Sequence, residues 1–193
     1  MKSIGIIGCG WLGSKVADRL KANFELHVTT RTPKDAETLS LFVNSTTLIS
    51  FSDSGVMNIE RWKLIHSLDI LLVMIPFSIR NSSPYQIKHK MNNLINFIGD
   101  FQGQIFFTSS TGVYPKKHKN YSEDDLPIEV NDIEYQIKKS YPQVNILRLG
   151  GLMGADRLLR NYNPKDLTSS VNHVHYHDVC SVIIKMIEKE HHK

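Results

Sequence analysis

Residues Ile4 to Gly13 read Ile-Gly-Ile-Ile-Gly-Cys-Gly-Trp-Leu-Gly, which places Gly8, Gly10 and Gly13 in a G-x-G-x-x-G turn. A strand-length apolar run, Ser3 to Ile7, leads into the turn and a helical pattern from Ser14 to Ala22 leaves it. That context constrains the chain more than any other feature. A strand entering a helix through such a turn uses the first glycine for the tight bend, the second for close approach of a pyrophosphate and the third for packing of helix on strand. The helix start then presents unpaired N–H groups to negative charge. A ligand-free glycine turn is the alternative, and strand, spacing and helix together favour dinucleotide binding. The expected contacts in this loop are Gly8, Gly10, Trp11, Leu12 and Gly13.

Five further strand-length runs follow, at Phe24–Thr29, Thr46–Ser50, Asp69–Ile75, Gln104–Thr108 and Val144–Leu149. Helical patterns separate them at Pro33–Leu41, Met57–Leu68, Tyr85–Phe97 and Ile128–Ser140, and a last helix is expected from an Asp178 N-cap to about residue 190. Strands alternating with helices predict an α/β fold with a doubly wound parallel sheet. In the Tyr85 segment, Ile87, Met91, Leu94, Ile95 and Ile98 share one helical stripe and read as core.

Cofactor type is read at the end of the second strand. A free adenosine 2′-OH calls for an acidic residue ~20 residues after the glycines. The chain has His27-Val28-Thr29-Thr30-Arg31-Thr32 there, with no carboxylate before Asp35 beyond Pro33. The Arg31 guanidinium, flanked by the Thr30 and Thr32 hydroxyls, suits a 2′-phosphate, so NADP(H) is expected over NAD(H). A solvated arginine is the plain alternative. The loop Met74-Ile75-Pro76-Phe77-Ser78 ends the fourth strand across the sheet's switch point, and Ile75 and Pro76 are expected to border the cofactor.

Composition narrows the class. With 193 residues and 41% apolar content, one domain spanning 1–193 can bury a core, and collagen-like or disordered readings fail. Two cysteines make no disulfide scaffold, and reduced thiols with no secretory leader point to the cytoplasm. The longest apolar run, Ile70 to Ile75, is too short for a membrane span. A net charge of +4, spread along the chain, gives no nucleic-acid surface. His173, His175 and His177 alternate beside Asp178, yet alternate residues on one strand diverge, so no metal is expected.

The fifth strand ends Phe106-Phe107-Thr108-Ser109-Ser110-Thr111-Gly112-Val113-Tyr114-Pro115, with Glu123 and Pro127 beyond it. Ile146 to Gly154 reads Ile-Leu-Arg-Leu-Gly-Gly-Leu-Met-Gly, and Val174 to Val179 reads Val-His-Tyr-His-Asp-Val. Taken in order with the glycine loop, these segments resemble the extended and atypical short-chain dehydrogenase/reductases, the NAD(P)-dependent epimerase/dehydratase-like proteins. The resemblance covers nearly the whole chain. It implies a Rossmann fold with strand order 3-2-1-4-5-6, a nicotinamide cofactor contacted also by Ser109, and a hydroxyl at Ser110 that holds the reacting oxygen. It also implies a His175 anchor beside Asp178 and makes a homodimer through the Tyr85 and Ile128 helices an expectation. Capping of the strand end is the plain alternative for Ser109, Ser110 and Thr111.

The family's acid/base pair is Tyr-x-x-x-Lys, in which the lysine favours the ionised tyrosine. Tyr135 and Lys139 fit that spacing. A helix starting near Ile128, however, would place them about 10 Å and about 16 Å along its axis, away from the cofactor. Tyr114, His118 and Tyr121 are the other candidate bases, and Tyr114 is the one carried forward. Lys116, Lys117 and Lys119 are offered to an anionic ligand, with a solvated charge run as the alternative. Two functions follow: an NADP(H)-dependent oxidoreductase or epimerase on a small carbonyl or hydroxyl substrate, or a non-catalytic NADP(H)-binding redox-sensing module. Residues 151–171, with Asp156, Arg157, Arg160 and Pro164, read as a much reduced substrate lobe, and 178–190 as a closing helix.

Overall fold

In a computed structural model, the chain is described over residues 1–51, 59–77, 82–115, 120–126, 132–158 and 171–189. Six parallel strands form one sheet: β1 (Ser3–Ile7), β2 (Glu25–Thr30), β3 (Ser45–Leu48), β4 (Ile70–Val73), β5 (Gln104–Ser110) and β6 (Asn145–Leu149). Their order is β3-β2-β1-β4-β5-β6, the doubly wound arrangement expected from sequence. Chain direction across the sheet reverses between β1 and β4, so the carboxyl ends of those two strands flank the crevice where such sheets take ligands.

Side-chain alternation along the strands separates two apolar layers. Ile4 and Ile6 of β1, with Ile70 and Leu72 of β4, face α1 (Trp11–Leu20), where Leu12, Val16, Ala17 and Leu20 are buried. Ile7, Leu71 and Val73 face the opposite layer, covered by α3 (Pro84–Ile98) and α4 (Asp132–Ser140). Met91, Leu94, Phe97 and Ile98 form the inner stripe of α3. That helix starts at a capping box, in which Ser83 Oγ accepts from the Gln86 amide and Gln86 Oε1 accepts from the Ser83 amide, with Pro84 in its first turn. Between β2 and β3, α2 (Pro33–Ser40) begins where Thr32 Oγ1 accepts from the Asp35 amide.

The segment expected as a helix over Met57–Leu68 is not one where it is described. Residues 59–64 are irregular, and only a short 3-10 turn, Ile65–Ser67, follows. Ile59, Trp62, Ile65 and Leu68 are all buried, and this three-residue spacing imitates a helical stripe. Tertiary contacts hold the segment instead: the Trp62 amide donates to Phe97 O at 2.9 Å, and its indole stacks on Phe97 at 5.4 Å.

Beyond β6, the strands β7 (Gly151–Met153) and β8 (His173–His175) form a small parallel pair that leads into α5 (Tyr176–Lys189). This helix begins two residues before the expected Asp178 cap, with Asp178 in its first turn. Val179, Cys180, Ile183 and Ile187 share the apolar layer of α1, so α5 completes that layer. Met57, Ser78, Ile128, Arg160 and Pro164, along with Lys116 to Lys119 and Pro127, lie outside the described residues. Among the described residues, no helix is long and apolar enough to cross a membrane.

Candidate functional site: a cleft over the glycine turn

A cleft of about 980 Å³ opens at the carboxyl end of the sheet. The β1–α1 turn forms its floor, Thr30, Arg31 and Asp35 one end, the Met74–Phe77 loop one wall, and Ser109, Ser110 and Leu149–Gly150 the other end. The turn is built from backbone bonds: the Cys9 amide donates to Thr29 O at 2.7 Å and the Gly8 amide to Thr29 Oγ1 at 3.0 Å. Gly8 holds a φ of 84°, and a Cβ there would meet Ile75 Cγ2 at 2.6 Å. A Cβ on Gly13 would lie 3.1 Å from Gly8 O, which reflects the tight seating of α1 on the turn.

Gly10 differs from both. A Cβ there would have no protein atom closer than Gly8 O at 4.0 Å, so the space beside it belongs to the cleft. As the N-cap of α1, Gly10 supplies no side-chain bond to the helix amides, and the first turn carries no acidic residue. An open approach, uncapped N–H groups and no competing carboxylate are what a dinucleotide diphosphate requires. The residues present therefore fit such a group.

Thr30 is buried and Arg31 exposed at the β2 end of the cleft. Asp35, beyond Pro33 in the first turn of α2, also lines this end of the cleft, with its carboxylate accepting from Thr32 Oγ1 at 2.6 Å. Cys9 is buried beneath the turn, and burial, with a smaller contribution from the Asp35 charge, pushes its thiol up to about 12. Its thiolate is suppressed at neutral pH, so Cys9 is structural. Ile75 and Pro76 line the cleft, and Lys90 reaches over from α3 to donate to Pro76 O at 2.9 Å.

At the far end, Ser110 Oγ accepts from the Gly112 amide at 3.0 Å, starting the short turn Thr111–Val113. That bond leaves its hydroxyl hydrogen free to donate. Ser109 Oγ donates to Glu134 Oε1 at 2.5 Å. Glu134 on α4 is fully buried and forms an ion pair with Arg148 of β6 through Nη2 at 2.7 Å and Nε at 3.1 Å. Arg148 also donates to Tyr114 Oη at 2.8 Å and to Leu126 O at 3.1 Å. The Glu134 bond, ahead of a smaller Tyr114 contribution, holds the guanidinium charged. Tyr114 stacks on Tyr121 and is not among the residues lining the cleft. This buried cluster is the main feature that motif reading missed. The only signal in sequence was an acid inside the inward stripe Ile133–Ile137, and its partner lies fourteen residues away.

Tyr135 is 41% exposed and Lys139 exposed on the outer face of α4. The three histidines do not share a strand face, because His177 has entered α5; among the described residues no three metal-ligating side chains converge. His175 Nδ1 accepts from the His177 amide at 3.3 Å.

No protein-family model and no curated protein matches the chain. Solved structures do share its fold. UDP-glucuronic acid 4-epimerase from Bacillus cereus, determined with UDP-glucuronic acid and NAD, superposes with a TM-score of 0.72 at 18% identity, over 96% of this chain and 73% of that one. UDP-glucose 4-epimerase from Thermotoga maritima, determined with UDP-glucose, gives 0.65 at 15% identity over 94% and 72%. A conserved protein of unknown function from Silicibacter pomeroyi gives 0.69 at 13% identity over 98% and 68%. The chain thus shares a Rossmann fold, with its six-stranded parallel sheet, with these structures.

Proposed function

We propose that this chain is an NADP(H)-binding protein of the extended and atypical short-chain dehydrogenase/reductase superfamily, acting as an oxidoreductase or epimerase on a small carbonyl or hydroxyl substrate. One observation carries the reading: Gly10 opens onto the cleft at an uncapped helix start, at the switch point of the sheet. Gly8, Gly10, Trp11, Leu12 and Gly13 would hold the diphosphate, Thr30 and Arg31 the adenosine end, and Ile75, Pro76 and Ser109 the nicotinamide end. The cofactor supplies the hydride when bound.

Ser110 donates its free hydroxyl hydrogen to the substrate oxygen and orients it. Ser109 holds its own hydrogen on Glu134, which fixes that end of the cleft beside the reacting groups. Tyr135 and Lys139 take no part, and Tyr114 braces Arg148. When the cofactor gives up its hydride, the substrate oxygen takes its proton from water in the open cleft, and in the reverse direction the proton released from the alcohol leaves by the same route. Exposure of Tyr135 and Lys139 favours a second reading, a non-catalytic NADP(H)-dependent redox sensor.

Calorimetric titration with NADPH and NADH tests the cofactor assignment. NADPH is expected to bind more tightly, and Arg31→Ala to weaken it by about tenfold, the scale of one charge-assisted hydrogen bond. Tighter NADH binding through Asp35 would reverse the assignment. Turnover against aldehydes, ketones and nucleotide sugars separates the two functions: an enzyme loses rate in Ser110→Ala, whereas a sensor binds NADPH and turns over nothing.

A further inference from the structure

We propose that Arg157 is a ligand of the dinucleotide diphosphate, swung over the glycine turn by a tight loop that Trp11 and Asp156 clamp in place; this rests on the dinucleotide reading above. The loop follows β7. The Arg157 amide donates to Gly154 O at 3.0 Å and the Gly154 amide to Arg157 O at 2.9 Å, so Ala155 and Asp156 form a two-residue corner. Gly154 at φ 108° and Ala155 at φ 51° both take positive-φ conformations, and the second is strained for an alanine.

That corner is pinned to the cofactor loop. Trp11 Nε1, from the first turn of α1, donates to Asp156 Oδ1 at 2.6 Å, and this bond holds the Asp156 carboxyl below its ordinary range. The Arg157 guanidinium carbon then lies 4.0 Å from the Trp11 ring centroid, on the cleft wall that includes Gly10 and Leu12. A guanidinium stacked by its face keeps its N–H edge available. Among the described residues none accepts a hydrogen bond from that edge. Lys15 Nζ, 4.8 Å from the same ring, adds a second cation, while Asp156 beside them is hydrogen-bonded to Trp11 and feels both charges. An exposed planar cation with unspent donors, positioned by a strained corner beside the glycine turn, matches an anionic diphosphate.

Calorimetry with NAD+ and NADP+ on the full chain tests the assignment through Arg157→Met, whose thioether still covers Trp11, and Arg157→Lys, which restores the charge. Arg157→Met should weaken both dinucleotides by the same factor, about tenfold, with partial recovery in Arg157→Lys. Loss confined to NADP+ would assign Arg157 to the 2′-phosphate, and loss of neither would leave it to a substrate anion or to loop packing; either result overturns the proposal while dinucleotide binding stands. A wild-type chain that binds neither dinucleotide overturns both readings.

Discussion

A methyl group added at Gly8 would strike Ile75 Cγ2 at 2.6 Å and occupy a φ of 84°, whereas the same group at Gly10 would meet no protein atom nearer than Gly8 O at 4.0 Å at a φ of −92°. The two substitutions therefore separate folding from binding. Gly8→Ala should cost about 2–4 kcal/mol, combining left-handed strain with overpacking against Ile75. Gly10→Ala should stay within about 1 kcal/mol of wild-type stability yet weaken the dinucleotide, because its methyl group fills ligand space. Urea unfolding and calorimetric titration of both variants check this pair, and equal stability losses would remove the argument that Gly10 is reserved for a ligand. The glycine spacing was legible because its requirement is local. Asp35 was not, because only folding of α2 back along the end of β2 brings its carboxylate onto the wall beside Arg31.

Between elements, α4 and β6 are joined by the Glu134–Arg148 pair, which also reaches Ser109 of β5 and Tyr114 in the following loop. Removing Glu134 leaves the partly buried Arg148 guanidinium, 11% exposed, without its charge partner, so Glu134→Ala should destabilise by about 2–3 kcal/mol. Glu134→Leu combined with Arg148→Met should recover most of that loss, since an apolar pair of similar volume avoids the desolvation cost. Chemical denaturation of the single and double variants reads the coupling; additive losses would mean that the pair does not act as a unit. The same scale explains what motif reading missed. The Ser83–Gln86 capping box and the Met91–Leu94–Ile98 stripe are near-neighbour patterns and were readable for α3. Residues 59–68 follow an apolar spacing of three, and their backbone was decided by the docking of Trp62 on Phe97.

Across the molecule, both cysteines are buried in the α1 layer and Tyr141 in the opposite one. Burial pushes Cys9 up to about 12, and it raises Cys180 and Tyr141, whose hydroxyl donates to Gly99 O at 2.9 Å. In the unfolded chain these groups lose their protons earlier, so above pH 9.0 the unfolded state binds fewer protons than the native state. Stability from Cys9 is thus fully present below pH 9.0 and is lost as pH rises toward about 12. Urea midpoints should stay level near neutrality and fall from about pH 9 upward, with a shallower fall in Cys9→Ala. An equally steep fall in that variant would place the proton elsewhere.

The sequence by itself determined the parallel α/β class and the glycine turn, because helix and strand periodicities and the φ demands of a tight bend act over a few residues, while the order of the strands came from the resemblance of its ordered motifs. Tertiary structure alone decided which polar groups meet at that turn. Trp11 and Asp156 are separated by 145 positions in the chain, and Ser109 and Glu134 by 25, so neither pair leaves a periodic trace. Folding brings them together because parallel strands collect their carboxyl ends, and the loops that follow them, at one edge of the sheet.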